Sequence, residues 1–153
     1  MSHVSSSLVN TLQPPRDEAA DVPAESLPDD HELVLKVIPM PADANHNGDI
    51  FGGWVMAQTD LAGAVLPARY AQGRMATVAV NQFVFKQPVR VGDILSFYAK
   101  MERIGTTSLT VKVSVYAEHF FRQGRYVKVT EASLTYVAID EQGRPRNVPV
   151  KLR

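Results

Sequence analysis

Only one stretch of this chain has helical character, and nearly everything after it is built for strands, which leaves few folds open to it. From Gly53 to about Leu66 the residues favour a helix that Pro67 is expected to stop. Before it, Asn45-His46-Asn47-Gly48-Asp49-Ile50-Phe51-Gly52-Gly53-Trp54 reads as a tight turn delivering the chain to a helix start. Asn and Gly admit such a turn without strain, Asp49 is placed to accept hydrogen bonds near the helix start, and Gly52-Gly53 lets a ligand approach the backbone. The helix is rich in Ala and Gly, so its own propensity is weak and burial against a sheet must hold it. Trp54 is expected at the edge of that contact.

The strands follow from the apolar pattern. Leu33-Val34-Leu35-Lys36-Val37-Ile38, ended by Pro39, is the first. After a polar connection at Tyr70 to Arg74 come four β-rich segments, about Ala76 to Phe85, Ile94 to Arg103, Ser108 to His119 and Arg125 to Ile139. In the third, Leu109, Val111, Val113 and Val115 alternate with Thr110, Lys112, Ser114 and Tyr116, the pattern of a sheet with one apolar and one polar face. The last segment is long, which suggests a strand that bends around the helix or extends across a partner subunit. Asp140 to Gly143 is a turn and Arg144 to Arg153 a short polar tail. The order strand, helix, four strands implies an α+β fold, one helix against one curved antiparallel sheet. Its second face and edges need cover, and a dimer or larger assembly would supply it.

Composition sets the compartment and the ligand class. The chain has 153 residues and no cysteine, so one domain is expected, and a Cys nucleophile, disulfides and thiolate metal sites are excluded. The lack of cysteine fits a reducing cytoplasm. No apolar run approaches a membrane span and no secretory signal opens the sequence, so neither a membrane nor export is expected. Residues 1–30, rich in Ser, Pro, Ala and acids without periodicity, read as a disordered tail ahead of a single domain over 31–153. Met1 to Glu32 holds seven acids against Arg16 alone, a net −6, and the neutral total leaves +6 on Leu33 to Arg153. A moderately basic folded part suits a polyanionic small ligand such as a nucleotide-bearing cofactor. Nucleic acid is disfavoured, because the basic residues are spaced singly along strands with no aromatic-basic cluster.

The residue with most chemical content is Asp60. Met56, Ala57, Gly63 and Ala64 lie one turn away on either side, so a helix would set its carboxylate on an apolar face of small residues. It is either a structural acceptor at a subunit boundary or a catalytic base or nucleophile at a cleft. Unpaired amides at the helix start, near Gly52 and Gly53, are suited to hold a carbonyl oxygen that gains negative charge. A base and an electrophile clamp are what acyl transfer needs. The four histidines, His3, His31, His46 and His119, form no metal-ligand spacing, so no metal is expected. Gly105-Thr106-Thr107-Ser108 reads as a hairpin turn whose hydroxyls and amides could line a phosphate, with Arg90 and Lys128 among the bases available to it. Glu131, in an apolar segment, is either a second functional acid or part of a fold-stabilising interaction.

The run Met40 to Trp54, followed by Met56, Gln58, Asp60, Gly63 and Ala64, resembles the signature of YciA-like acyl-CoA thioesterases of the hotdog superfamily. The likeness continues through Gly73-Arg74, Thr77-Val78, Pro88-Val89, Val91-Gly92-Asp93, Gly105 to Ser108 and Thr130-Glu131-Ala132, covering about Leu33 to Pro149. The resemblance implies a hotdog fold, a long central helix wrapped by a curved antiparallel sheet. It implies hydrolysis of acyl-CoA to free CoA and a carboxylic acid, with no cofactor beyond the CoA moiety of substrate or product. It also implies a homodimer as the active unit, commonly a trimer of dimers, with the site between subunits. Carried over, the resemblance makes Asp60 the general base or nucleophile, Asp49 a residue that positions water or shapes the electrophile site, and Asn45 the support of that turn. Gly52 and Gly53 supply the oxyanion amides. Asn81 departs from the pattern, standing where relatives often carry an acid. Two other readings keep the fold: a non-hydrolytic acyl-CoA-binding module, and a hydroxyacyl-thioester dehydratase, for which His46 is the nearest candidate.

Overall fold

The computed structural model describes residues 23–150. Five strands form one antiparallel sheet: β1 (Glu32–Val37), β2 (Met75–Phe85), β3 (Asp93–Ile104), β4 (Ser108–His119) and β5 (Val127–Ala138), in the spatial order β1-β3-β4-β5-β2. The helix α1 (Gly52–Ala71) packs mainly across β3, β4 and β5. Leu109, Val111, Val113 and Val115 of β4 are fully buried, as are Leu95, Phe97, Leu134 and Ala138, so the expected apolar face is the one beneath the helix. Trp54 is partly buried against this core, as expected.

The helix outruns its predicted stop at Pro67. Pro67 lies inside it and is buried with Leu66 and Ala71. A proline removes one helical hydrogen bond and crowds the preceding turn, but here burial of that last turn against the sheet outweighs the loss. The stop comes at Gln72, which adopts a left-handed conformation (φ 46°, ψ 51°) and donates its N–H to the Ala68 carbonyl.

β5 needs no partner to account for its length. It pairs with β4 on one side and β2 on the other, and β2 carries two register shifts, after Thr77 and after Val80, that bend the edge. The polar face of the sheet is less open than its alternation suggests: Ser96, Ser114, Tyr116 and Glu118 are all buried. Residues of the expected tail lie on this face. The Glu25 N–H donates to the Tyr126 carbonyl at 2.7 Å, and the Glu25 carboxylate accepts from the Lys128 N–H at 2.5 Å. Asp30 then meets the Lys100 ammonium at 2.8 Å on β3. Pinned at β5 and at β3, this segment must cross the outer face of β4 near Ser114. The part of the expected tail before residue 23 lies outside the described residues. The C-terminal segment also departs from a loose polar tail: Val148 is buried and donates its N–H to Thr106, while Arg146 donates to Ile139 and Arg74 carbonyls.

Candidate active site

The turn before α1 forms as its residue types dictate. Gly48 takes φ +85°, where a side chain would be strained. The Asn45 side-chain oxygen accepts the N–H groups of Asn47 at 2.9 Å and Asp49 at 3.2 Å, and the Asn45 N–H donates back to the Asp49 carbonyl at 2.7 Å. Asn45 therefore holds the turn in an Asx arrangement. Asn45→Ala is expected to lower unfolding free energy by about 1 kcal/mol, measured by urea denaturation, with faster amide exchange confined to residues 45–49. Asp49 does not cap the helix, since the residue flanking its start is Phe51 and no side chain caps it; the Asp49 carboxylate instead faces the Arg90 guanidinium at 3.6 Å.

Beside this turn lies an open cleft of about 370 Å³, lined by residues that include Asp49, Gly52, Val55, Phe85, Pro88 and Val89. No hydrogen bond engages the amides of Gly52 and Gly53 among the described residues, while those of Trp54 and Val55 turn back to the Phe51 carbonyl. Gly52 borders the cleft and Gly53 does not. A Cβ at Gly52 would come within 3.1 Å of the Phe85 ring, so the close backbone approach needs a glycine or a shift of that ring.

Asp60 is half-buried on the face of α1 over β2 and β5. Its Oδ1 accepts the Thr77 hydroxyl at 2.8 Å and the Tyr136 hydroxyl at 2.9 Å, and the Tyr136 hydroxyl also lies 2.7 Å from the Asp60 carbonyl oxygen. Burial first, and the Asp60 carboxylate second, push the Tyr136 phenol far above its ordinary range, so it stays protonated as a donor. Neither partner was among the sequence candidates. Thr77 lies 17 residues from Asp60 and Tyr136 76 residues, and only the register of β2 on β5, which sets Thr77 opposite Tyr136, brings them together.

The remaining candidates are dispersed. The Gly105–Ser108 turn joins β3 to β4 as expected: the Gly105 N–H donates to the Ser108 carbonyl, and the Thr106 and Thr107 carbonyls accept from Val148 and Ala138. Lys128 pairs with Tyr116 in register while Ser108 pairs with Val137. At about 3.4 Å per residue, that sets the turn and Lys128 roughly 27 Å apart within one chain, so one copy alone does not bring them to a single phosphate. Lys128 is engaged instead with Glu131 at 2.9 Å, and Lys112 and Lys86 approach the same carboxylate at 3.2 and 3.7 Å. The Lys128 hydrogen bond, with help from Lys112, lowers Glu131 to about 2. Glu131 thus anchors three lysines, in line with the fold-stabilising reading. His46 is exposed in the turn, and Asn81 donates to the Thr135 hydroxyl at 2.7 Å. Among the described residues no group of acids and histidines could hold a metal, and no helix is long and apolar enough to cross a membrane.

One separation governs what the site can do. Asp60 lies eight residues beyond Gly52 in the same helix, so at about 1.5 Å per residue the two are roughly 12 Å apart along the axis. A single carbonyl cannot touch both within one chain. Both groups do lie toward the β2 edge, whose outer side is unpaired, and exposed apolar side chains border it: Leu61 at 63%, Val78 at 56%, Phe51, Phe85, Val80 and Met56. A second copy at this edge would cover that surface.

A long helix laid on a five-stranded antiparallel sheet, with a carboxylate in mid-helix and free amides at its start, defines a hotdog-fold thioesterase. The model of the thioesterase superfamily matches residues 47–119. The acyl-CoA thioester hydrolase YciA of Salmonella typhimurium is 46% identical over 122 residues, 78% of this chain and 92% of that protein. A hexameric thioesterase from Yersinia pestis superposes with a TM-score of 0.76 at 45% identity, covering 82% of this chain and all of the other. An acyl-CoA hydrolase from Staphylococcus aureus, solved with butyryl coenzyme A and with coenzyme A, gives a TM-score of 0.70 at 30% identity over 75% and 70%. This chain belongs to the YciA-type acyl-CoA thioester hydrolases of the thioesterase superfamily.

Proposed function

We propose that the protein hydrolyses acyl-CoA to free CoA and a carboxylic acid, with Asp60 of one copy acting on a thioester held at the α1 start of a second copy. The observation that carries this is the separation of roughly 12 Å along α1 between the two groups, both beside an unpaired edge rimmed with apolar side chains. In the mechanism, a water beside Asp60 attacks the thioester carbon and passes its proton to the carboxylate. The carbonyl oxygen gains charge against the Gly52 and Gly53 amides. The tetrahedral intermediate then expels the CoA thiolate, which takes up a proton. Asp49 lines the cleft and Arg90 faces Asp49, which makes Arg90 the candidate for a CoA phosphate; Asn45 holds the turn that carries Asp49.

The relatives support the assignment. The Staphylococcus hydrolase has been solved as an aspartate-to-alanine and as a threonine-to-alanine variant at positions 17 residues apart, the separation of Asp60 and Thr77 here. We read the assembly as a trimer of dimers, in keeping with the hexameric relatives, and the absence of cysteine suits the reducing cytoplasm.

A thiol-release assay over acyl-CoAs from short to long chains tests the reading. Release of CoA with saturation kinetics is expected. Tight binding of acyl-CoA without release of thiol would make the protein a binding module and overturn it. Sedimentation should give a hexamer, and an active monomer would exclude a site shared between copies.

A further inference from the structure

We propose that Tyr136 is a positioning residue of the hydrolysis, its phenol admitted by Gly63 so as to fix which oxygen of Asp60 takes the proton. The inference rests on the reading of Asp60 as the acting carboxylate and goes beyond it, to a residue on another strand. An aspartate carboxyl turns readily about its last bond, so its two oxygens exchange unless something holds one. Here two donors converge on Oδ1, the Thr77 hydroxyl from β2 and the Tyr136 hydroxyl from β5. No described residue donates to Oδ2. The acting atom is therefore Oδ2, with its lone pairs open to water.

Tyr136 is the firmer of the two holders. It is 2% exposed, on a strand paired on both sides, whereas Thr77 is exposed on the edge strand. Its hydroxyl also touches the Asp60 carbonyl oxygen, so one proton is shared between backbone and side chain of the same residue. Gly63, one turn beyond Asp60, makes the room: a Cβ there would lie 2.7 Å from the Tyr136 hydroxyl oxygen. Sealing this face of the helix would need only a phenylalanine. The hydroxyl, and the missing side chain opposite it, serve to hold Asp60.

Tyr136→Phe keeps the ring and removes the donor. Turnover at saturating acyl-CoA should fall about tenfold with KM little changed, the signature of a disturbed reacting geometry. In an Asp60→Asn background the same change should cost nothing further, since the residue acts through Asp60. A second variant, Gly63→Ala, retains the hydroxyl but displaces it, and should reproduce the loss of turnover with KM little changed. A lower melting temperature with unchanged turnover in both variants would reduce Tyr136 to packing and overturn the proposal. Failure of the underlying reading looks different: Asp60→Asn would itself turn over normally, whatever Tyr136 does.

Discussion

Asp60→Asn is expected to lower turnover of acyl-CoA by about 10²–10⁴ while leaving the fold intact, the range over which a positioned base accelerates proton transfer. Asparagine matches aspartate in shape and can present an amide oxygen to the Thr77 and Tyr136 hydroxyls that now meet Oδ1. The melting temperature should therefore change little. The amide has no capacity to take a proton from water, so the loss falls on the chemical step and not on KM. Thiol release at saturating acyl-CoA, measured beside the melting temperature, checks both. Near-normal turnover in a folded Asp60→Asn protein would remove Asp60 from the chemistry and leave it the structural acceptor that its two hydroxyl partners also permit.

What the sequence made legible is what local chemistry determines. The Asn-Gly turn, the helix with a lone acid and the alternation in β4 follow from residue type and spacing, and Gly48 and Leu109 to Val115 stand where those rules put them. What it hid depends on register and on distant contacts. Thr77 meets Tyr136 across β2 and β5 because of where the edge strand shifts, and no period in the sequence encodes a shift. Pro67 was misleading because its local cost is visible while the burial of Leu66 and Ala71 that offsets it is not. The segment from Glu25 to Asp30 read as tail because it lacks periodicity, yet its hydrogen bonds to Tyr126, Lys128 and Lys100 secure it at two points. Lys128 was a reasonable phosphate contact by charge alone. The structure pairs it with Glu131, because the register shift between β4 and β5 at Val129 brings two residues three apart to one face of the sheet.

Gly52→Pro tests the other half of the site, the electrophile clamp. Proline suits the first helical position, and Phe51 already has the extended conformation a residue before proline requires (φ −55°, ψ 132°). A Cβ at this position meets only the outer end of the exposed Phe85 ring, which can swing away. The substitution thus deletes the one amide that borders the cleft and spares the helix. Loss of an oxyanion donor should reduce turnover by about 10²–10³. The two variants together decide where the site lies. When Asp60→Asn and Gly52→Pro chains are unfolded, mixed equally and refolded, half of the sites in mixed dimers combine an intact Asp60 with an intact helix start from the other copy. Random pairing through a two-fold interface then restores about a quarter of wild-type activity. A site contained in one chain can restore none. The roughly 12 Å along α1 between Gly52 and Asp60 is what makes recovery the expected result.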